Sequence, residues 1–274
     1  MRLWSACLIA LLAIASQSAF ALINCGVSSS GFATAFDPNS AVTNTTQTFF
    51  TVTCTRSASG DPTSITYAVA VNNGNNAVGQ NNRAALGANF VRYDVFKDSG
   101  CGTKWKGGTT ITGTVNMPTT GSFSATSNFW GCVTAGQSPP AGTYIDSVLM
   151  TMTYNGTSTA ASSFSVSITT PATCSMTSPS NLVFNYVSFG TAKTPSVTFT
   201  VTCTLNLGYT MALDATTGTA LGLNYSLALS TASSTGTGAV QTHSVNGTMA
   251  AGQSGTCGTP TCTTTQVRSI TVTY

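Results

Sequence analysis

Apolar and polar residues alternate along most of this chain, which is the pattern of β-strands whose side chains point to opposite faces. Clusters of Gly, Asn, Ser and Pro separate the alternating runs, and no segment beyond the N-terminal region shows helical periodicity. Repeated short strands with such turns indicate an antiparallel β-sandwich. The clearest alternating runs are 49–55, 65–71, 147–154, 198–204 and 269–274.

The chain contains two copies of one unit. The same number of positions separates Cys25 from Cys54 as separates Cys174 from Cys203, and both second cysteines end the run Phe-Thr-Val-Thr-Cys. Each copy later carries a Gly-Gln pair, and each closes on a strand that ends in Tyr154 or Tyr274. The pattern predicts an all-β chain of two tandem sandwich domains.

The first 21 residues have the organisation of a cleaved secretory signal. Arg2 supplies the positive charge, residues 8–15 form the apolar core, and Ala19-Phe20-Ala21 is a small-x-small cleavage site. A membrane anchor is the alternative, but the apolar stretch is too short to span a bilayer. We therefore predict a signal peptide over 1–21, a first domain over 22–170 and a second domain over 171–274.

The cysteines of the mature chain are expected to form disulfides. Cys7 lies in the signal and eight cysteines remain, an even number in an exported chain. A zinc site would need Cys-x2-Cys clusters or nearby histidines, and the sequence has neither. Aligning the two copies predicts the pairs Cys25–Cys54, Cys101–Cys132, Cys174–Cys203 and Cys257–Cys262.

Charge is scarce. The 274 residues include 9 Lys+Arg and 6 Asp+Glu, and charged residues make up 5% of the chain, against about 25% in an ordinary domain. This composition excludes helical bundles, coiled coils and nucleic-acid binders that depend on a basic surface.

Catalysis receives little support from the sequence. The only histidine, His243, is interpreted as a surface turn residue, and Asp214 is the only acid in the second domain. Asp94 and Asp98 are expected to form surface pairs with the neighbouring Arg92 and Lys97. We expect no catalytic residues, no metal site and no cofactor.

Both copies resemble the spore coat protein U domain, which is found in pilins and adhesins of archaic chaperone–usher pili. The resemblance implies immunoglobulin-like, pilin-like sandwiches that are completed by a strand from another subunit. The second copy lacks the Trp and the Ala-Gly-x-Tyr-x-Asp turn, so it is the more divergent one. The motifs that carry the resemblance are Phe-Thr-Val-Thr-Cys54, Tyr93-Asp94-Val95-Phe96, Trp105, Gly136-Gln137 and 140–148 in the first copy, and Phe189-Gly190, Cys203, 223–227 and Gly252-Gln253 in the second.

Because sandwiches of this family are completed by a strand from another subunit, we ask which segments of this sequence could donate or receive such a strand. Only Leu22-Ile23-Asn24 precede Cys25 in the mature chain, and three residues are too few for a donor strand. Past Tyr154 the first copy continues into an alternating segment whose residues Phe164, Val166 and Ile168 share one face, as a self-complementing strand requires.

The second copy is expected to be incomplete. Its last strand carries Ile270, Val272 and Tyr274 and would pair first with a chaperone and then with a donor strand. The alternative is that both domains are complete and 164–170 is a linker. We favour the strand because linkers are usually more polar and less regular.

The resemblance and the strand pattern together predict a tip subunit: an adhesin of a chaperone–usher pilus that mediates surface attachment and biofilm formation. The implied partners are a periplasmic pilus chaperone, an outer-membrane usher, an adjacent pilin subunit, and an abiotic or host surface. The protein would pass through the periplasm to the cell surface of a Gram-negative bacterium. A secreted structural coat or matrix protein without a receptor is the alternative, and a carbohydrate-binding module would need aligned aromatic residues that the sequence does not reveal.

Adhesion is expected to use apolar residues in turn-rich segments of the first domain. A core position is the alternative for each of them, and Trp105 in particular matches a family tryptophan. The candidates are Val78, Trp105, Met117, Pro118, Phe123 and Trp130.

Overall fold

The computed structural model describes residues 23–106 and 108–274, so the predicted signal peptide lies outside the described part. All regular structure in the described ranges is β-strand. The first half contains β1 Asn24–Ser28, β2 Phe32–Ala35, β3 Asn44–Arg56, β4 Ser64–Val71, β5 Asn82–Leu86, β6 Asn89–Phe96, β7 Ile111–Asn116, β8 Gly121–Val133, β9 Gly142–Tyr154 and β10 Ser158–Thr170. The second contains β11 Cys174–Met176, β12 Ser196–Cys203, β13 Gly208–Leu213, β14 Thr217–Ala220, β15 Leu223–Leu229, β16 Ser233–Thr235, β17 Val240–Met249 and β18 Ile270–Thr273.

The first ten strands form one continuous sheet that folds over itself as a sandwich. Its order is β1-β3-β8-β6-β5-β9-β10-β2, and β4 lies between β7 and β9. The strands β4 and β5 run in the same direction along β9, so residues 72–81 between them bulge out from the side of the domain. Alternating burial along each strand places one face of every strand in a common core.

One strand pair departs from the predicted antiparallel arrangement. The strand β2 pairs in parallel with β10, with Phe32 opposite Val166 and Ala35 opposite Thr169. This follows from the path of the chain, because β1 and β2 are two parts of one N-terminal segment that pairs first with β3 and then crosses to β10. The immunoglobulin-like sandwich is otherwise as predicted.

The second half repeats this plan with fewer strand pairings. One sheet has the order β11-β12-β17-β15-β14 and the other has β16-β13-β18. The strand β12 corresponds to β3, and β18 corresponds to β9, as the internal repeat predicts. Residues 177–190, which follow β11, form no regular strand.

The two cores differ in completeness. Among the described residues, 29 buried residues form one cluster in the first domain, whereas the corresponding cluster of the second domain has 9. Twelve further apolar residues of the second domain pack against its core but stay partly exposed, against four in the first. The second sandwich is therefore incompletely covered.

Four disulfides join the eight cysteines of the described chain. Cys25–Cys54 links β1 to β3, and Cys174–Cys203 links β11 to β12 at the corresponding position. Each closes 29 residues of chain, which corresponds to about 3–4 kcal/mol in the chain-entropy model. The other two pairs are Cys101–Cys132 and Cys257–Cys262.

Strand register defines the two ends of each sandwich. The distal pole of the first domain consists of the loops 57–63, 117–120 and 155–157. Its opposite end meets the second domain, where the Ser138 hydroxyl donates to the Gly238 carbonyl at 3.1 Å and Pro140 forms a bridge with Leu205. The outer pole of the second domain consists of residues 187–190, 221–222 and 250–256, at the end away from this junction.

Within the part of the chain that the structure describes, no helix is long and apolar enough to cross a membrane.

Candidate functional site

The second domain leaves the apolar side chains of β18 and of residues 177–190 incompletely covered, and we call the region that they line the open groove. Five apolar side chains face it, all of them packed against the core yet only half-buried. Three come from the irregular segment, where they alternate with exposed residues as in a strand, and two come from β18. These residues are Leu182, Phe184, Tyr186, Ile270 and Val272.

In the first domain the corresponding space is filled by β10. This strand pairs with β9 along its whole length of 13 residues and with β2 on its other side. Phe164, Val166 and Ile168 point inward and are buried, and the Phe164 ring lies 5.3 Å from that of Phe129. Among the described strands, the second domain has none that pairs with β18 as β10 pairs with β9.

The backbone of β18 supplies the hydrogen-bonding groups of the groove. Among the described strands, β18 pairs only with β13, so its other edge has no strand partner. An edge with free N–H and C=O groups can accept an extended segment of another chain, whose alternate side chains would enter the apolar groove. The site therefore suits an alternating apolar strand, and the five described side chains that define it are uncharged.

The repeated Gly-Gln pair has a structural role in both domains. The Gln137 amide accepts a bond from the Arg92 N–H at 2.7 Å and donates to the Arg92 carbonyl at 2.9 Å, so it pairs with β6 like a short strand. Gln253 makes the same two bonds to Asn224 of β15, at 2.6 and 2.9 Å. These side chains fix the turn that follows β8 in one copy and β17 in the other.

The Val78 loop, residues 72–81, connects β4 to β5 on the side of the first domain. Val78 itself is 56% exposed. The buried Asp146 carboxylate holds the base of the loop, since it accepts from the Asn75 N–H at 2.9 Å and the Asn76 amide at 3.2 Å. Its other oxygen accepts from the Tyr93 hydroxyl at 2.7 Å, and burial together with this bond raises the pKa of Tyr93.

Charged residues of β5 and of the segment after β6 secure the same loop. Arg83 donates to the Asn76 carbonyl at 2.9 Å, and the Lys106 ammonium donates to the carbonyl of Gln80. Asp94 in turn pairs with Lys104 and Lys106. The prediction that Asp94 pairs with Arg92 and Lys97 is thus wrong, because the alternation of β6 places Asp94 opposite the loop that follows the strand.

Two of the predicted adhesive residues are buried, which corrects the prediction for them. Trp105 is fully buried, stacks on Phe50 at 5.2 Å and donates its indole N–H to the Val69 carbonyl at 2.8 Å. Met117 is also fully buried. Both lie in segments that read as loops, but long-range packing takes their side chains into the core.

The remaining candidates are divided between strand and loop. Phe123 and Trp130 are half-buried residues of β8, and Phe123 packs against the core. Pro118 is exposed at the distal pole. Val78 and Pro118 are therefore the predicted adhesive residues that remain on exposed loops.

Arg56 organises the distal pole, a role that the sequence did not reveal. Its buried guanidinium donates to the carbonyls of Asp61 at 3.1 Å and Pro118 at 3.1 Å, and also to those of Ser59 and Met117. One cation thus joins two loops through main-chain oxygens. Among the described residues, no large apolar side chain of these polar loops is exposed.

His243 is a core residue, so its interpretation as a surface turn residue is wrong. It lies in β17 with its side chain buried, 2.8 Å from the Tyr209 hydroxyl through Nε2 and beside the Phe199 ring. Burial lowers the pKa of His243 below its usual value. The histidine is therefore neutral in the folded second domain at neutral pH.

We expect the second domain to lose stability as the pH falls below about 6.5, the ordinary histidine pKa. The folded pKa is depressed, so the unfolded chain binds the proton first and the contribution to stability is complete only above that pH. Calorimetric midpoints of the second-domain transition at pH 7.5 and 5 measure the effect. His243→Gln should remove most of the difference, and an equal pH dependence in this variant would contradict the assignment.

Metal-ligating side chains do not cluster among the described residues. They include no group of three or more His, Cys, Asp or Glu side chains that could hold a metal ion. The Asp98 carboxylate accepts from the Gly102 and Thr103 N–H groups, which hold its pKa low, so it stabilises a turn. A shallow groove of about 430 Å³ on β4, β7 and β9 is lined by Thr, Ala, Gly and Tyr67.

Comparison with solved structures finds the same fold elsewhere. A chain of the crystal structure of the CsuC–CsuE chaperone–tip adhesion subunit pre-assembly complex, from archaic chaperone–usher Csu pili of Acinetobacter baumannii, aligns over 92% of this chain and 100% of that chain. The identity is 12% and the TM-score is 0.51, so the likeness is one of fold. A chaperone–tip adhesin complex of CFA/I fimbriae biogenesis aligns over 75% of this chain and 83% of that chain, at 8% identity and a TM-score of 0.30.

Sequence comparison supplies the family. No curated protein matches the chain. The Spore Coat Protein U domain model matches residues 10–151, just over half of the chain and nearly all of the first sandwich. The chain therefore belongs to the Spore Coat Protein U domain family.

Proposed function

We propose that this protein is a two-domain tip adhesin of a chaperone–usher pilus and that its second domain accepts a donor strand from the next subunit. The open groove beside β18 is the observation that carries this proposal. The first domain shows what fills such a groove, namely an alternating strand that runs antiparallel to β9. The division into domains at 22–170 and 171–274 follows from this view, because β10 then belongs to the sandwich that it completes.

The tip position is supported by the state of the first domain. Its groove is occupied by β10, so it has no place for a strand from another subunit. From Ile23 onward, the described chain is part of the first sandwich, because Ile23 is buried and β1 pairs with β3. A subunit of this kind accepts one strand, and the described residues hold no segment free to be donated.

The partners follow from the same site. A pilus chaperone would cover the β18 edge before assembly, an outer-membrane usher would direct the exchange, and the adjacent pilin would supply the final strand. The fold likeness to a chain from a chaperone–tip adhesion subunit complex supports the chaperone among these partners. Attachment to a surface, and biofilm formation through it, would be the task of the first domain.

Strand acceptance can be tested with the sequence of β10 itself. We expect a synthetic peptide of residues 158–170 to bind the purified full chain and to raise the melting temperature of the second domain, because it restores strand pairing to β18. A peptide with Phe164, Val166 and Ile168 replaced by Ser is the matched control. An unchanged melting temperature with the native peptide would contradict the proposal.

We expect Val78→Ser to reduce adhesion to hydrophobic surfaces without changing the amount of the protein on the cell surface. Val78 is a large exposed apolar side chain, and hydrogen bonds to Asp146 and Arg83 fix the loop that carries it. Val42→Ser is the control, since Val42 is an exposed valine in another loop of the same domain. Equal adhesion by both variants, measured as bound cells per surface pilus, would exclude the Val78 loop.

A further inference from the structure

The junction between the two domains shows how one sandwich of this family sits on the next. The chain leaves β10 at Thr170 and begins β11 at Cys174, so a completing strand leads almost directly into the following domain. The turn after Gln137 lies against that domain, through the Ser138–Gly238 hydrogen bond and the Pro140–Leu205 bridge. The end of the first domain at which β10 leaves the sandwich is therefore also the end that contacts the second domain, and we call it the docking end.

The internal repeat identifies the matching end of the second domain. Gln253 pairs with β15 as Gln137 pairs with β6, so the turn 254–256 occupies the position of the turn that docks in the first domain. This turn lies at the outer pole, at the end of the open groove. A donor strand that runs along β18 as β10 runs along β9 would leave the groove there.

The outer pole carries apolar side chains that the second domain does not cover. Val187 is 73% exposed and Phe189 is 74% exposed. The segment that carries them is attached to the Gln253 turn, since the Phe189 N–H donates to the Gln253 carbonyl at 2.8 Å and the Ser188 hydroxyl donates to the Ser254 carbonyl at 2.7 Å. Phe189 has a φ of 59°, a conformation that bulky side chains rarely adopt.

Exposed apolar side chains are distributed differently in the first domain. Its distal pole, which faces away from the second domain, exposes no large apolar side chain among the described loop residues. At its docking end Phe36, whose N–H donates to the Thr169 carbonyl of β10, is fully buried. Exposed large apolar side chains therefore occur at the outer pole of the second domain and not at the distal pole of the first, although neither pole has a neighbour in the structure.

We propose that Val187, Phe189 and the turn after Gln253 form a docking surface for the body of the next pilin domain, beyond the contacts of its donor strand. The inference rests on the proposed strand acceptance. Its occupant is the sandwich that follows the donor strand, and the partner surface would be the pole of that sandwich that corresponds to the regions of Leu205 and Gly238. Covering Val187 and Phe189 removes apolar area from water and orients the two domains.

Hydroxyl-radical footprinting distinguishes this contact from strand insertion. The reference is the full chain with the peptide 158–170 in its groove, which fills the site but supplies no following domain. In pili sheared from cells, we expect oxidation of Val187 and Phe189 to fall several-fold relative to this reference. Val183, which is 58% exposed on the same segment and four positions from Val187, should keep its reactivity.

Variants provide the second measurement. Val187→Thr with Phe189→Asn removes the apolar groups, and Asn tolerates the positive φ at position 189. We expect this double variant to bind the peptide like the parent chain and yet to be retained in lower amount on sheared pili, whereas Val183→Thr should be retained normally. Unchanged footprints together with normal retention would overturn the docking surface alone, and failure of the peptide to bind the parent chain would overturn strand acceptance as well.

Discussion

Val166→Asp is expected to unfold the first domain while the second domain keeps its structure. Val166 lies at the centre of β10, is fully buried, and packs in the layer formed with Phe164 and Ile168. A carboxylate at this position would be buried without a partner, at a cost of about 4 kcal/mol or more. If β10 is an integral strand, such a loss is a large part of the roughly 5–15 kcal/mol that holds a domain together.

Tryptophan fluorescence measures this effect in the first domain alone. The mature chain has two tryptophans, Trp105 and Trp130, and both belong to the first sandwich. Ser165→Asp is the matched control, because Ser165 lies on the exposed face of the same strand. The two variants should differ widely in their unfolding midpoints. Similar midpoints near that of the parent chain would mean that residues 158–170 are a dispensable linker.

Removing the Cys174–Cys203 disulfide is expected to prevent folding of the second domain. The bond closes 29 residues and contributes about 3–4 kcal/mol in the chain-entropy model. The corresponding bond in the first domain closes the same length of chain, but there it supplements a core of 29 buried residues rather than 9. The same loss of free energy should therefore have unequal consequences in the two domains.

Hydrogen exchange resolves the two domains in one experiment. In Cys174→Ala/Cys203→Ala, we expect amides of β12 and β17 to lose protection, whereas in Cys25→Ala/Cys54→Ala the amides of β3 and β8 should remain largely protected. Cys257→Ala/Cys262→Ala is a control within the second domain, since that bond spans only 5 positions in an exposed segment. Equal protection of β12 and β17 in the first variant and the parent chain would contradict the marginal stability inferred for the second domain.

The alternation of side chains predicts most of the fold because each strand is half-buried. Period-2 runs identify β3, β9, β10, β12 and β18, and the cysteine spacing reveals the repeat. The run of Leu182, Phe184 and Tyr186 has the same period but is not among the predicted strands. It follows Pro179 and has no strand partner, so burial on one face is its only regular feature.

Site residues were harder to predict because their environments come from distant parts of the chain. Trp105 and Met117 stand among turn residues, yet the tertiary packing of Phe50 and Arg56 around those segments makes them core positions. His243 differs, because the local alternation of β17 already places it inward. The role of Asp146 depends on a loop some seventy positions earlier, and local pattern carries no signal for it.

The central claim is that the edge of β18 receives a strand from another subunit, and photo-cross-linking in cells tests it most directly. A benzoyl-phenylalanine at Val272, which faces the open groove, should form a cross-link in assembled pili. We expect mass spectrometry to place the other end in an alternating apolar segment that precedes the first cysteine of an adjacent pilin. Assembled pili that carry the chain but show no such cross-link, or a cross-link only within the chain itself, would contradict the account.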